Sequence, residues 1–217
     1  MKILILLGAP GAGKGTVAQY LAENYNVCHF STGNLLRNEV KKESDIGLKV
    51  KGILGAGGLV GDDIVNGIVA KNIKEVLGSG SLVILDGYPR TRNQAVELDN
   101  MLSGSLRDEI KVLELAVDNE VVVQRISQRR VCASCGKTYG PQDKIKVCAC
   151  GGELIKRKDD EEAVVRSRLR KYEEETRPVS DYYAADRLVK VSGEGKPEEV
   201  AQRVDETLAK FGIKKRR

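Results

Sequence analysis

The sequence predicts an α/β protein of three layers, with a five-stranded, mostly parallel sheet between helices on both faces. Three observations carry that expectation. Short aliphatic runs alternate with longer segments of helical charge and apolar periodicity along the 217 residues, the pattern of repeated strand and helix units. The first run, Ile3-Leu4-Ile5-Leu6-Leu7, leads directly into Gly8-Ala9-Pro10-Gly11-Ala12-Gly13-Lys14-Gly15-Thr16, a phosphate-gripping strand, loop and helix start. Two stretches, 31–61 and 131–157, break the rhythm and stand as lobes set into the sheet domain. The expected architecture is therefore a P-loop three-layer fold with two inserts.

Strands are expected over residues 2–7, 27–30, 82–86, 111–117 and 188–191, and helices over 14–24, 91–102, 119–129 and 197–210. The first run is uninterrupted by polar residues, as a central parallel strand covered on both faces requires. The glycines after it let backbone N–H groups turn inward, and the positive end of the first helix completes an anion site. Lys14 adds a point charge suited to the β- and γ-phosphates of a nucleotide, and Thr16 would face Mg²⁺. Generic P-loops place Ser or Thr directly after Lys; here Gly15 intervenes. In the second strand, Cys28 is expected to be an inert buried thiol. His29, the only histidine, is expected to be a buried or half-buried strand residue with no role as a base. Asp86 closes the third strand, where a carboxylate can order water on Mg²⁺.

The first insert carries helical segments and ends in glycine-rich sequence (Gly52, Gly55, Gly57, Gly58, Gly61), which suggests a mobile lobe rather than a sheet crossover. The second carries Cys132-Ala133-Ser134-Cys135 and Cys148-Ala149-Cys150, each followed by glycine. That spacing is a zinc ribbon of two knuckles, the second tighter than usual; a pair of disulfides is the alternative. Four thiolates would close a tetrahedral structural Zn²⁺ site. Apparent binding energies of roughly 10–16 kcal/mol for such modules suffice to fold a lobe this poor in apolar residues.

Hydrophobic residues make up 41% of the chain but aromatics only 4%, with no Trp, so the core must be built from Ile, Leu, Val and Ala. No apolar stretch reaches the roughly 20 residues of a membrane span, and residues 1–7 are too short for a signal peptide. A cytoplasmic location without a membrane partner is expected. The net charge of +5 comes in part from Lys214-Lys215-Arg216-Arg217, expected to be a solvated end rather than a nucleic-acid contact. More informative, Arg90, Arg125, Arg129, Arg157 and Arg168 fall at or beside apparent element ends, where guanidinium groups suit a polyphosphate.

Further segments make the pattern specific: Ser31-Thr32-Gly33-Asn34-Leu35-Leu36-Arg37, Asp86-Gly87-Tyr88-Pro89-Arg90-Thr91, Arg129-Arg130 and Arg157-Lys158-Asp159-Asp160. Together with the P-loop and its extra glycine, they resemble the adenylate kinase family of nucleoside monophosphate kinases, in its long-lid form with a zinc-binding lid, over nearly the whole chain. The resemblance implies a P-loop core domain (1–30, 62–130 and 158–217), a helical NMP-binding lobe (31–61) and a zinc-binding lid (131–157). It also implies reversible, Mg²⁺-dependent phosphoryl transfer from ATP to AMP giving two ADP, by a monomer.

Residue by residue, the resemblance assigns the ATP phosphates to Gly11, Ala12, Gly13, Lys14, Gly15 and Thr16. Arg125 and Arg129 would reach ATP, Thr138 and Tyr139 would meet it from the lid, and Lys196 would lie near its adenine through the backbone. AMP would be held by Thr32, Arg37, Leu59, Val60, Gly87, Tyr88, Arg90 and Gln94, with Arg157 and Arg168 reaching it from the lid side. Lys14, Arg90, Arg129, Arg157 and Arg168 would be catalytic, carrying the charge of the transferring group. Thr16 and Asp86 would hold Mg²⁺ through water, and Cys132, Cys135, Cys148 and Cys150 would hold Zn²⁺. Thr32 and Gln94 point to AMP, because uridylate and cytidylate kinases of the same fold use Ala and Asn there. Asp159 and Asp160 could form salt bridges at the lid hinge or cap the following helix.

Three features depart from the family pattern. Asn34 stands where Asp is usual, Gly61 where Pro often precedes Asp62, and the lid is shorter than in most zinc-bearing relatives. Two alternatives stay open at this point: a kinase of the same fold with another donor or acceptor, such as GTP:AMP, and a nucleotide-switched zinc-ribbon binding protein.

Overall fold

A computed structural model describes residues 2–76, 81–102, 104–140, 143–184 and 187–216; the terminal Arg217 of the basic tail lies outside them. The chain begins with β1 (Ile3–Gly8), α1 (Lys14–Asn24), β2 (Val27–Ser31), α2 (Thr32–Lys41), α3 (Asp45–Gly55) and α4 (Asp62–Val76). It continues through β3 (Leu82–Asp86), α5 (Arg92–Met101), the short α6 (Ser105–Asp108), β4 (Ile110–Ala116) and α7 (Asn119–Gln128). Three short strands follow, β5 (Arg130–Cys132), β6 (Thr138–Tyr139) and β7 (Leu154–Ile155). The chain then runs through a 3₁₀ turn (Lys158–Asp160), α8 (Glu162–Lys171), a π turn (Tyr172–Thr176), α9 (Arg177–Tyr183), β8 (Leu188–Ser192) and α10 (Pro197–Lys210).

The five expected strands form one parallel sheet of order β2-β3-β1-β4-β8. β1 is buried along its whole length because it lies mid-sheet, in register with both neighbours: Ile3 faces Val83 on one side and Ile110 on the other. Its alternate residues feed two cores. Ile3, Ile5 and Leu7 pack with α2, α4, α5 and α9, while Leu4 and Leu6 pack with α1 and α10. Each fully buried Ile or Leu contributes about 1.5–3 kcal/mol, so this strand is anchored far more firmly than the loop that leaves it.

Helix ends follow local chemistry. Thr91 caps α5, its Oγ1 accepting from Gln94 N at 3.1 Å, which starts that helix one residue later than expected. Pro197 opens α10, and the Glu199 carboxylate accepts from Lys196 N at 3.1 Å in a capping box. The π turn ahead of α9 sits where Pro178 lacks an N–H to give the preceding turn.

The structure changes some expectations. In the first insert, Gly52 and Gly55 fall within α3, so helix covers more of that stretch than its glycines suggested. Cys28 is half-buried, not buried, because β2 is an edge strand. The basic tail is solvated as expected, with Lys214, Lys215 and Arg216 exposed, but it is also tethered. Lys215 Nζ lies 2.7 Å from Asp205 Oδ2, Tyr20 and Tyr25 donate to the same carboxylate at 2.7 Å each, and Arg216 N donates to the Asn24 carbonyl. Among the described residues, no helix is long and apolar enough to cross a membrane.

Candidate active site

All five parallel strands end on the same edge of the sheet, and the chain leaving β1 and β3 there builds the floor of a cavity of about 1240 Å³. Gly11 and Gly13 turn the loop at φ of 84° and 104°, a left-handed conformation that a side chain would strain. Ala12 N donates back to the Ala9 carbonyl at 3.1 Å. Lys14 curls over this turn, its Nζ donating to the carbonyls of Gly8 (2.6 Å) and Ala9 (2.9 Å). Burial lowers its pKa to about 8; repulsion from Arg90, Arg168 and Arg129 adds to the shift and Asp86 opposes it. The loop residues Gly11 to Thr16 all line the cavity.

Arginines from separate segments converge on the same space. Arg90 Nε donates to the Gly87 carbonyl at 2.9 Å, and Arg37 Nη2 to Asn34 Oδ1 at 2.6 Å. Arg168 Nη1 reaches Asp159 Oδ2 at 2.9 Å, and Arg129 makes two bonds to Asp160, one from Nε to Oδ2 at 2.9 Å. Arg125 Nη1 donates to the Gly193 carbonyl at 2.9 Å. Burial lowers the pKa of Arg37, Arg90 and Arg168 and takes Arg157 down to about 10, with Arg37 and Arg129 repelling it. Cations held this close at a cost in desolvation form a site for a highly charged anion.

The Asp86 carboxylate faces these cations. Burial pushes its pKa up, but neighbouring His29, whose Nε2 is 3.7 Å away, together with Lys14 and Arg90, outweighs burial and holds it below the usual range. Asp86 and Thr16 line the same cavity and offer hard oxygen donors, a set that suits Mg²⁺. The open question over Asp159 and Asp160 is resolved for ion pairing. Asp160 takes Arg129 across the lid base, Asp159 takes Arg168 of the following helix, and neither side chain caps α8.

Beside the main cavity is a second cleft of about 50 Å³ lined by Thr32, Leu59, Val60, Gly87, Arg90 and Gln94, among others. It shares Arg37 and Arg90 with the large cavity. Thr32 Oγ1 donates to the Gly87 carbonyl at 2.8 Å. Gln94 is buried: its Oε1 accepts from Arg90 N at 2.7 Å and its Nε2 donates to Asp62 Oδ1 at 2.7 Å. Small-molecule pockets typically run to some 300–1,000 Å³, so this cleft must widen to admit a nucleoside.

Four cysteines form the head of the lid, their sulfurs all within 4.8 Å of one another. Thiolates 2.3 Å from one tetrahedral ion stand about 3.8 Å apart, so the residues fit Zn²⁺. The Cys148 thiol is pushed down to about 6, first by the Tyr139 hydroxyl that donates to it. Thr138 and Tyr139 line the cavity from β6, and Arg157 lines it from the returning chain. Lys196 is exposed at the start of α10, with its neighbours Gly195 and Pro197 on the cavity wall. The Tyr88 side chain lies wholly in the core, where it donates to Asn66 Oδ1 at 2.8 Å and anchors the loop carrying Gly87 and Arg90.

Other residues at the cavity and cleft had no signal in the sequence. Lys171 at the end of α8, and Tyr172 and Thr176 in the π turn, line the cavity. Asp62 sets the rotamer of Gln94 while accepting from Thr91 Oγ1 at 2.9 Å; an acidic first turn on α4 was its only mark. Asn34, noted as a departure, turns out to orient Arg37.

The family model described as adenylate kinase matches residues 6–188. Among curated proteins, the chain is 45% identical to an adenylate kinase of Caldicellulosiruptor bescii over 217 residues, covering 97% of this chain and 99% of that one. It is 42% identical to an adenylate kinase of Fervidobacterium nodosum (96% and 98% covered) and 44% identical to one of Trichlorobacter lovleyi (94% and 98% covered).

Proposed function

The chain belongs to the adenylate kinase family, and from that premise we propose a division of labour for the reversible transfer of the ATP γ-phosphoryl group to AMP, giving two ADP. The observation that carries it is the convergence of Lys14, Arg90, Arg129, Arg157 and Arg168 on one cavity that adjoins the cleft of Thr32 and Gln94. Phosphoryl transfer needs little covalent help from a protein, so positioning and charge neutralisation supply most of the catalysis.

Gly11 to Thr16 hold the donor phosphates. Arg125, Thr138, Tyr139 and the chain about Lys196 border the rest of ATP. Arg37 and Arg90 orient the AMP phosphate. Its oxygen attacks the γ-phosphorus in line while the bond to the β-phosphate oxygen breaks. Lys14, Arg129, Arg157 and Arg168 spread the charge of the group in flight. Thr32, Gln94, Leu59 and Val60 receive the adenine and ribose of AMP, with Gly87 and Tyr88 contributing backbone.

Bound at Thr16 and Asp86 through water, Mg²⁺ would supply charge neutralisation to the donor phosphates. Zn²⁺ on Cys132, Cys135, Cys148 and Cys150 would fold the lid. Residues 31–61 and 131–157 act as moving lobes on the core of 1–30, 62–130 and 158–217, closing to exclude water and prevent hydrolysis of ATP. A monomer working in the cytoplasm fits these features.

Mixing the protein with ATP, AMP and Mg²⁺ and following both nucleotides by ³¹P NMR tests the reaction: two ADP form per AMP consumed. A panel of UMP, CMP and GMP as acceptors and GTP as donor tests selectivity. Turnover of UMP or CMP comparable to that of AMP would overturn the acceptor assignment.

A further inference from the structure

Tyr139 belongs to two environments at once. The residue lines the central cavity, and its hydroxyl donates to Cys148 Sγ at 3.1 Å. β6 holds it there by pairing with β5, Tyr139 opposite Arg130, and Lys137 Nζ lies 5.9 Å from the ring centre. Cys148 is only 4% exposed, so its sulfur depends on protein donors more than on water. Among the described residues, Tyr139 is the one side chain other than cysteine that donates to any of the four sulfurs.

A site of four thiolates around one divalent ion carries two net negative charges, and outer donors to the sulfurs offset that charge. Cys132 receives a backbone donor, Cys135 N at 3.4 Å. Cys148 Sγ lies 3.4 Å from Cys150 Sγ and 3.5 Å from Cys135 Sγ, so as a thiolate it would face two like charges.

We propose that Tyr139 is a positioning residue that donates its hydroxyl to the Cys148 thiolate, retaining the lid Zn²⁺ and tying the wall of the donor cavity to the metal. The proposal rests on the zinc reading of the lid. It assigns the ring and the hydroxyl separate tasks: the ring shapes the cavity and the hydroxyl offsets charge on sulfur. Tyr139→Phe keeps the first and removes the second.

The test compares wild-type protein with Tyr139→Phe, both full-length and reduced. Elemental analysis should find one Zn²⁺ per wild-type chain. Competition with a colorimetric chelator should then show zinc affinity in the variant lower by on the order of tenfold, as for other outer-shell partners of metal ligands. In cobalt-substituted protein, the thiolate-to-cobalt charge-transfer band should move to longer wavelength, because a sulfur relieved of its hydrogen bond donates electrons more readily. A thermal melt at saturating zinc should be unchanged, showing that the variant folds. Equal zinc affinity, or an unmoved cobalt band, overturns the role of Tyr139 alone. Absence of zinc from reduced wild-type protein overturns the zinc assignment and this proposal with it.

Discussion

Arg129 and Asp160 meet side by side across the base of the lid, the guanidinium forming two bonds to a carboxylate that is 1% exposed. Arg129 follows α7 and Asp160 ends the 3₁₀ turn, so the pair joins the two chain segments by which the lid leaves and returns. Removing one partner of a buried pair leaves an uncompensated charge, a loss of about 3–5 kcal/mol. Asp160→Ala should therefore lower the Tm of the empty enzyme by roughly 6–20 °C for a chain of this size. Because nucleotide phosphates can neutralise the orphaned Arg129, ATP should raise the Tm of the variant more than that of the wild type. Equal ligand shifts in calorimetry would show that Arg129 does not reach the donor.

Lys14 gives the site a specific pH dependence. With its folded pKa lowered to about 8, mainly by burial, against 10.5 in the unfolded chain, the unfolded state binds more protons between those values. The contribution of Lys14 to the stability of the empty enzyme therefore rises with pH across that window and is flat below about 8. Bound phosphates restore the charged form, so ATP binding at pH 8.5 should take up most of one proton at this group. Calorimetric titrations in buffers of different ionisation enthalpy read that uptake directly. Lys14→Met should abolish it and cost about 10²–10³-fold in turnover, with no loss of Tm in the empty enzyme, since the buried charge is gone.

The zinc lobe yields a third expectation. A methyl group on Gly152 would come 2.5 Å from Cys132 Sγ and 2.7 Å from Ser134 Oγ, closer than atoms can approach. Gly152→Ala should therefore bind zinc poorly and melt like Cys135→Ser, several degrees below wild type. Circular dichroism of both should keep the signal of the parallel sheet, whose cores lie elsewhere. Loss of activity from fully folded Cys135→Ser at saturating zinc would contradict a purely structural role for the metal.

How much of this was legible in the sequence depends on where the determinants lie. The loop from Gly8 to Thr16 is local, so its turn, anion site and helix start follow from consecutive residues. The sheet was equally legible, because each strand carries its own aliphatic run. Convergence is different: Arg125 and Arg168 sit within helices α7 and α8, and only a resemblance could bring them to one cavity. Capping or ion pairing at Asp159 and Asp160 was undecidable because the answer lies in Arg129 and Arg168, which the fold delivers. The tethering of the tail was missed for the same reason, since Lys215 finds Asp205 and Tyr20 only once α1 packs on α10.

Lys41 and Ala133 give the last expectation. Lys41 ends α2 in the first insert, and its Nζ donates to the Ala133 carbonyl, 2.7 Å away between the cysteines of the first knuckle. The two inserts therefore touch through this contact. An exposed hydrogen bond to a charged donor is worth at most about 1.5 kcal/mol, so Lys41→Met should bias the lobes toward opening by a few-fold rather than abolish closure. Apparent KM for AMP should rise by roughly two- to five-fold. Where release of product limits turnover, kcat should stay level or increase. Steady-state kinetics with AMP varied at saturating ATP separates the two effects. A KM equal to that of the wild type would mean that this contact does not hold the lobes together.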